Sequence, residues 1–461
     1  MNALRLVLPA LMVLAGVLAA PTALFADIDS VLRALGADPG ASAKPKDDMG
    51  GSASWGDSSQ PVARPTAPHR TDLPWFQTLV DQAPAGSVLR PPPGRYAGPV
   101  VVDKPLTIEG GGQVVIDGGN KGTVFVLQTD GATLRDVHLT GSGDSPDTDD
   151  ACLNLRGKGN RVEGLEIDDC LFGIDLKQAD DNLVRANHIR SKPVSLGMRG
   201  DSLRLWYSHR NTVEDNRVED SRDMVVWYSN DNRFLRNESR RSRYSIHFMF
   251  AQRNLVEGNR FYDNAVGIYV MYTEGVTIRN NVISHASGAA GMAVGLKEAS
   301  NAYIEDNEIV YCAVGVGTDI SPFEPDSKVV IKGNRLAYNG TAVHFVSERE
   351  GTEVVGNIFE GNLAQVAVAG AGSVRGNLWR GNYWDDYQGF DRDGDGVGDR
   401  PQALYAYSDQ LWMEYPYARF FRNAPMMEAL DFLERLAPFS TPQLLLRDDA
   451  PRFARPKESR S

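Results

Sequence analysis

Asn259-Arg-Phe-Tyr-Asp-Asn-Ala-Val-Gly-Ile-Tyr-Val-Met-Tyr272-Thr-Glu-Gly-Val-Thr-Ile-Arg-Asn-Asn281-Val-Ile contains one full period of the pattern that decides the fold. An Asn-x-apolar triplet leads through a turn into a short β-branched and aromatic run, a Gly closes it, and the triplet returns. Outward from this stretch the triplet recurs as Asn187-His-Ile, Asn216-Arg-Val, Asn307-Glu-Ile, Asn334-Arg-Leu, Asn357-Ile-Phe and Asn377-Leu-Trp, with Asn237 marking one more turn. Successive intervals from Asn187 are 29, 21, 22, 22, 26, 27, 23 and 20 residues. A period in the low twenties, built of short strands punctuated by Gly and Asn, predicts a β-solenoid and not a helical repeat. The repeated Asn reads as structural. Identical amides at one corner of every coil can stack in a hydrogen-bonded ladder, and Asn tolerates the left-handed turn conformation.

Side chains alternate between the two faces of a strand. Aligning the strand of each coil assigns Leu203/Leu205, Ile246/Phe248, Ile268/Val270, Met292/Val294 and Val343/Phe345 to the inside. The interleaved outward positions are Arg204 and Trp206, Val225 and Trp227, His247 and Met249, Tyr269 and Met271, Ala293 and Gly295. Neighbouring coils of such a solenoid lie about 4.8 Å apart, so Met249 and Met271, 22 residues apart, are expected to stack, with His247 on the same face. One imidazole and two thioethers form a soft ligand set suited to Cu(I) and unsuited to Mg or Ca. The competing reading is an apolar stripe of Trp206, Trp227, Met249 and Met271 that packs under a loop or a partner. Both can hold, since a metal handed between proteins belongs in a docking surface. The basic run Arg236, Arg240, Arg241 and Arg243 just before this strand reads as a solvated turn or as an electrostatic contact for an acidic partner.

After Trp384 comes Asp391-Arg-Asp393-Gly-Asp395-Gly-Val397-Gly-Asp399. Carboxylates at relative positions 1, 3, 5 and 9, a Gly at 6 and the Val397 carbonyl at 7 match the start of an EF-hand-type calcium loop. Gln402 stands where the bidentate Glu would be, so a weaker, structural Ca²⁺ site is expected at Asp391, Asp393, Asp395, Val397 and Asp399.

The chain has 461 residues, 42% apolar and 23% charged, ample for a large core, and its formal net charge of −12 argues against a nucleic-acid partner. Arg5, an apolar run from Leu6 to Leu18 and small residues up to Ala26 read as a secretory signal peptide, with an uncleaved anchor as the alternative. Residues 27–70, rich in Gly, Ser and Pro, read as a flexible leader. Residues 71–405 read as the solenoid, with a helix near Trp75–Ala83 covering its first coil. Residues 406–461 read as a helical tail, carried by the period of Met426–Leu436. Cys152, Cys170 and Cys312 show no metal-site spacing; Cys170 and Cys312 read as small buried residues, and a Cys152–Cys170 bridge stays open.

Taken together, Ile246-His-Phe-Met-Phe, Val270-Met-Tyr, the Asn-x-apolar coils and Gly381-Asn-Tyr-Trp-Asp-Asp-Tyr followed by the acidic loop resemble the NosD family, periplasmic maturation proteins of copper nitrous oxide reductase. The resemblance spans roughly residues 71 to 445. It implies a right-handed, single-stranded parallel β-helix in the periplasm, docking on an ABC transporter (permease and ATPase) at the inner membrane. It also implies copper received from a periplasmic copper chaperone and passed to nitrous oxide reductase. A few soft ligands suit such reversible delivery. The competing class is a secreted carbohydrate-active enzyme, because parallel solenoids carry lyases, hydrolases and epimerases. Such an enzyme needs acid and base groups converging in an outward groove. Here Asp175 and Lys177 share one coil, Asp319 lies several coils away, and no tight carboxylate cluster is legible.

Overall fold

The computed structural model describes residues 61–288, 291–347, 349–369, 373–406 and 443–455. They form a parallel β-solenoid. Each coil gives one strand of three to six residues to a 12-stranded sheet: β1 (Val100–Val102), β2 (Phe125–Gln128), β3 (Ala151–Arg156), β4 (Phe172–Lys177), β5 (Leu203–Trp206), β6 (Asp223–Trp227), β7 (Tyr244–Met249), β8 (Val266–Met271), β9 (Met292–Lys297), β10 (Val314–Asp319), β11 (Thr341–Phe345) and β12 (Ala364–Val368). Shorter strands, mostly of three residues, continue each coil into a second, 24-stranded sheet.

The Asn ladder is built as the sequence implies, with one difference of position. Asn187, Asn216, Asn237, Asn259, Asn281, Asn307, Asn334, Asn357 and Asn382 stack, each donating its Nδ2 to the Oδ1 of the next, as from Asn237 to Asn259 (3.0 Å). The same Oδ1 accepts the backbone N–H of the preceding Asn, and Nδ2 also reaches a strand carbonyl, so the buried amide is fully used. The left-handed conformation falls on the residue before each of these, such as Arg236 (φ 53°) and Gly258 (φ 69°). Asn377 belongs to another corner, where it accepts from Thr352 N–H; Asn382 holds the last rung. A second ladder runs through Asn182, Asn211, Asn232 and Asn254.

Inside, the faces close on one continuous core. Ile246, Phe248, Val256 and Phe261 of one coil, then Ile268, Val270, Ile278 and Ile283 of the next, are all fully buried. Burial of each such side chain contributes roughly 1.5–3 kcal/mol. One inward assignment is corrected. Ile268 and Val270 pair with Val294 and Leu296, a step of 26 residues, so Val294 and Leu296 point in and Met292 does not belong to the core.

Both ends are covered. Helix α1 (Phe76–Gln82) buries Phe76 and Val80, and Gln77 bonds both the N–H and the carbonyl of Val101 in β1. Residues 62–70, expected to be flexible, lie along the first coils instead: Val62 pairs with the Gln128 amide, Arg64 with Asp103 and Arg70 with Asp117. At the other end β13 (Gln402–Ala406) and β14 (Gln443–Asp448) pair antiparallel. The described part of the expected helical tail is therefore a strand, because Leu445 and Leu446 bury themselves over the open end of the core. Asp448 replaces a further ladder Asn, accepting from Asn382 N–H and Nδ2 and from Trp384 Nε1. Cys152 and Cys170 are bridged, and Cys312 is buried with its thiol pushed up to about 11 by desolvation. The signal peptide, the leader up to residue 60 and the helix expected at Met426–Leu436 lie outside the described residues.

Candidate metal site on the outward sheet face

Strands β7 and β8 lie in register, His247 opposite Tyr269 and Met249 opposite Met271. The 22-residue spacing thus makes stacked neighbours of the two thioethers. His247 Nε2 lies 3.3 Å from Met271 Sδ, a diagonal contact that brings imidazole and sulfur to one point. All three side chains are half-buried. The imidazole is walled by Trp227 edge-on (6.2 Å between ring centres), Tyr244 (5.0 Å) and Tyr269 (6.1 Å). This enclosure lowers the His247 pKa to about 4; burial is the largest cause, Asp223 opposes it, and Arg243 and Arg222 add to it. The ring is neutral at pH 7, the state in which imidazole ligates a metal. Its Nδ1 is buried without a hydrogen-bond partner among the described residues.

Hard ligands are kept out. Asp223 is clamped by Arg243 (Nε to Oδ1, 2.9 Å) and accepts from Tyr244 N–H, and Asp201 is held by Arg222 at 3.0 Å. Burial raises the Asp201 carboxyl to about 6 against the pull of Arg222. Three coils before His247, Asp175 is fully buried, bonded by Arg204 Nε (2.9 Å) and Asn154 Nδ2 (3.0 Å). Arg204 and Lys177 also pair with Asp149. Each of these carboxylates is held by a fixed cation.

The apolar stripe is present beside these donors. Trp206, Trp227, Met249 and Met271 are consecutive in register, and Trp206 meets Trp227 edge to face at 5.9 Å. Beside them runs a second aromatic column that the alternation rule does not reveal. Tyr207, Tyr228, Phe250 and Tyr272 sit in the left-handed turn just past each strand and stack at 5.0, 5.2 and 4.9 Å. Its sequence signal is an aromatic residue immediately after each Trp or Met of the stripe. The basic run is not a free patch: Arg236 binds Asp215 and Glu214, Arg241 binds Asp220, and Arg243 binds Asp223.

The acidic loop brings carboxylate oxygens of Asp391, Asp393 and Asp395 within 4.8 Å of one another. Asp391 accepts from Gly394 and Gly396 N–H, Asp395 from Val397 N–H, and Asp399 from Arg392 N–H. Gln402 sits in β13 and donates to Asp386, so position 12 does not return to the loop.

Residues 187–389 match the family described as NosD, periplasmic copper-binding protein. A Pseudomonas aeruginosa protein named probable ABC transporter binding protein NosD is 28% identical over 377 residues, 75% of this chain and 83% of its own length. A Stutzerimonas stutzeri protein of the same name is 33% identical over 109 residues, 23% of this chain and 25% of its own. Among solved structures, the A-module of the Azotobacter vinelandii mannuronan C-5 epimerase AlgE6 is 18% identical, with a TM-score of 0.49 over 66% of this chain and 93% of that one. A polygalacturonase from Erwinia carotovora is 10% identical, with a TM-score of 0.40 over 68% of this chain and 96% of that one.

Proposed function

We propose that the chain is a NosD-type protein, a periplasmic copper carrier that serves an ABC transporter in the maturation of nitrous oxide reductase and holds Cu(I) at His247, Met249 and Met271. The observation that carries this reading is the meeting of His247 Nε2 and Met271 Sδ at 3.3 Å, with Met249 in register beside them. The donors are all uncharged and the neighbouring carboxylates are occupied by arginines, which favours a soft monovalent ion over Ca²⁺ or Mg²⁺. No thiolate takes part: Cys152 and Cys170 are bridged, and Cys312 is buried in the core. A set of this kind binds and releases, as cargo transfer requires.

The relatives' printed names support an ABC transporter as partner; a periplasmic copper chaperone as donor and nitrous oxide reductase as recipient are what the resemblance to the NosD family implies. The exposed edge of the aromatic column, Tyr207 (45% exposed) and Phe250 (42%), offers apolar contact next to the site for whichever protein hands over the ion. A competition titration against a chromophoric Cu(I) chelator tests the assignment. His247→Gln with Met271→Leu is expected to weaken the site at least about 100-fold, more than the loss of an outer-shell partner. Unchanged affinity in a folded double variant refutes it.

A structural Ca²⁺ in the Asp391–Asp399 loop is a second, separate proposal, supported by the convergence of three carboxylates. Since Gln402 is engaged elsewhere, the ion would be weakly held and would stiffen the C-terminal end of the solenoid.

A further inference from the structure

Beyond His247 the outward column changes character. Tyr269, Gly295, Gly317 and His344 follow one another in register on β8, β9, β10 and β11. Neither glycine has the left-handed backbone that would require it, and glycine within a strand destabilises. What the two provide is room. A Cβ at position 295 would fall 2.5 Å from Tyr269 Cδ2 and Cε2 and 3.3 Å from Met292 Sδ; one at 317 would fall 2.7 Å from the same sulfur. The Met292 thioether therefore lies in a trough floored by glycines, outside the core and only half-buried, in the column whose next residue is the half-buried His344.

We infer that Met292 and His344 form a second Cu(I) site, one step further along the axis. The inference rests on the copper reading of the His247 site for the identity of the ion, and on the register and the glycine trough for its place. Coils spaced about 4.8 Å apart put His344 roughly 19 Å from His247, with Met292 between them. Imidazole and thioether donors thus follow in the order His247, Met249 and Met271, Met292, His344. Tyr269 lies in register between His247 and Gly295. Lys297 and Asp319 follow Met271 in the neighbouring column. A Cu(I) ion leaving the first set meets donors of the same softness and charge, as movement along a face without a deep trap requires.

Cu(I) titration of the full chain against a chromophoric chelator, with the bound metal counted, tests this. The unsubstituted protein is expected to hold two equivalents. Met292→Leu with His344→Gln is expected to lose one and keep the other, and His247→Gln with Met271→Leu to show the reverse. Gly317→Ala, which removes no ligand but crowds the Met292 sulfur, is expected to weaken the second equivalent at least about tenfold with the first unaffected. A single equivalent that neither the Met292/His344 pair nor Gly317→Ala alters overturns the second site and leaves the first standing. No uptake of Cu(I) at all overturns both.

Discussion

Replacing His247 by Gln removes a proton-binding group that the fold holds in an abnormal state, and the stability of the two proteins should diverge with pH in a definite way. The unfolded imidazole has a pKa near 6.5 and the folded one about 4. As pH falls below 6.5 the unfolded chain binds the proton first, so the wild type loses stability down to about pH 4, while above 6.5 the two forms titrate alike. The full difference is about 3.5 kcal/mol at about 1.4 kcal/mol per pH unit, and about 2.5 kcal/mol of it is already lost at pH 4.5. Asp201 acts the other way: its folded carboxyl is raised to about 6, so it stabilises the fold as pH falls through the same window. That contribution is common to both proteins and drops out of the comparison. Urea unfolding followed by circular dichroism at pH 7.5, 6.5, 5.5 and 4.5 reads the difference. Wild type minus His247→Gln should be flat above pH 6.5 and fall by about 2.5 kcal/mol by pH 4.5. A difference that stays constant throughout refutes a buried, neutral imidazole. The same pKa implies that protons do not compete with Cu(I) for His247 between pH 7 and 5, where an ordinary histidine would show competition.

Asn259→Ala leaves Asn237 N–H and Nδ2 without their acceptor and Phe234 C=O without its donor, an expected loss of roughly 3–5 kcal/mol visible in the unfolding midpoint; a shift under 1 kcal/mol would mean the ladder is ornamental. Replacing both Cys152 and Cys170 by Ser opens a bridge across 18 residues, with an expected cost of about 3 kcal/mol. EDTA should lower the melting temperature of Ca²⁺-loaded protein, and Asp393→Asn with Asp395→Asn should remove that sensitivity; no shift argues against the calcium loop. Incubation with uronate and neutral polysaccharides should yield neither unsaturated nor reducing-end products, and either product would revive the enzyme reading.

The coil was legible because its determinants are local and repeated: one Asn per turn, two inward apolar residues per strand, and Gly at the corners. Where the period stayed at 22, His247, Met249 and Met271 fell where alternation put them. Where it lengthened to 26, the alignment slipped by two and Met292 was assigned inward, although Leu296, two residues beyond Val294, is the true partner of Val270. Asn377 and Asn382, five residues apart, likewise could not be ranked as rungs without knowing which corner each occupies. Trp227 and Tyr269, walls of the imidazole, come from the coils on either side of it and gain that role only through packing. The pairing of Arg243 with Asp223, 20 residues earlier, turned an apparent basic patch into part of the wall that excludes carboxylates from the site. The strand at Gln443–Asp448 was hidden because its partner, Gln402–Ala406, lies across a long intervening segment.

The central claim is that Cu(I) is held by the thioethers of Met249 and Met271 with His247. Methyl-labelled methionine resonances, assigned by single Met→Leu substitutions, report on it in the intact protein. On the first equivalent of Cu(I) the Met249 and Met271 methyl signals should move together, and should stay in place in His247→Gln at the same metal concentration. Copper uptake with both signals unmoved would contradict the account.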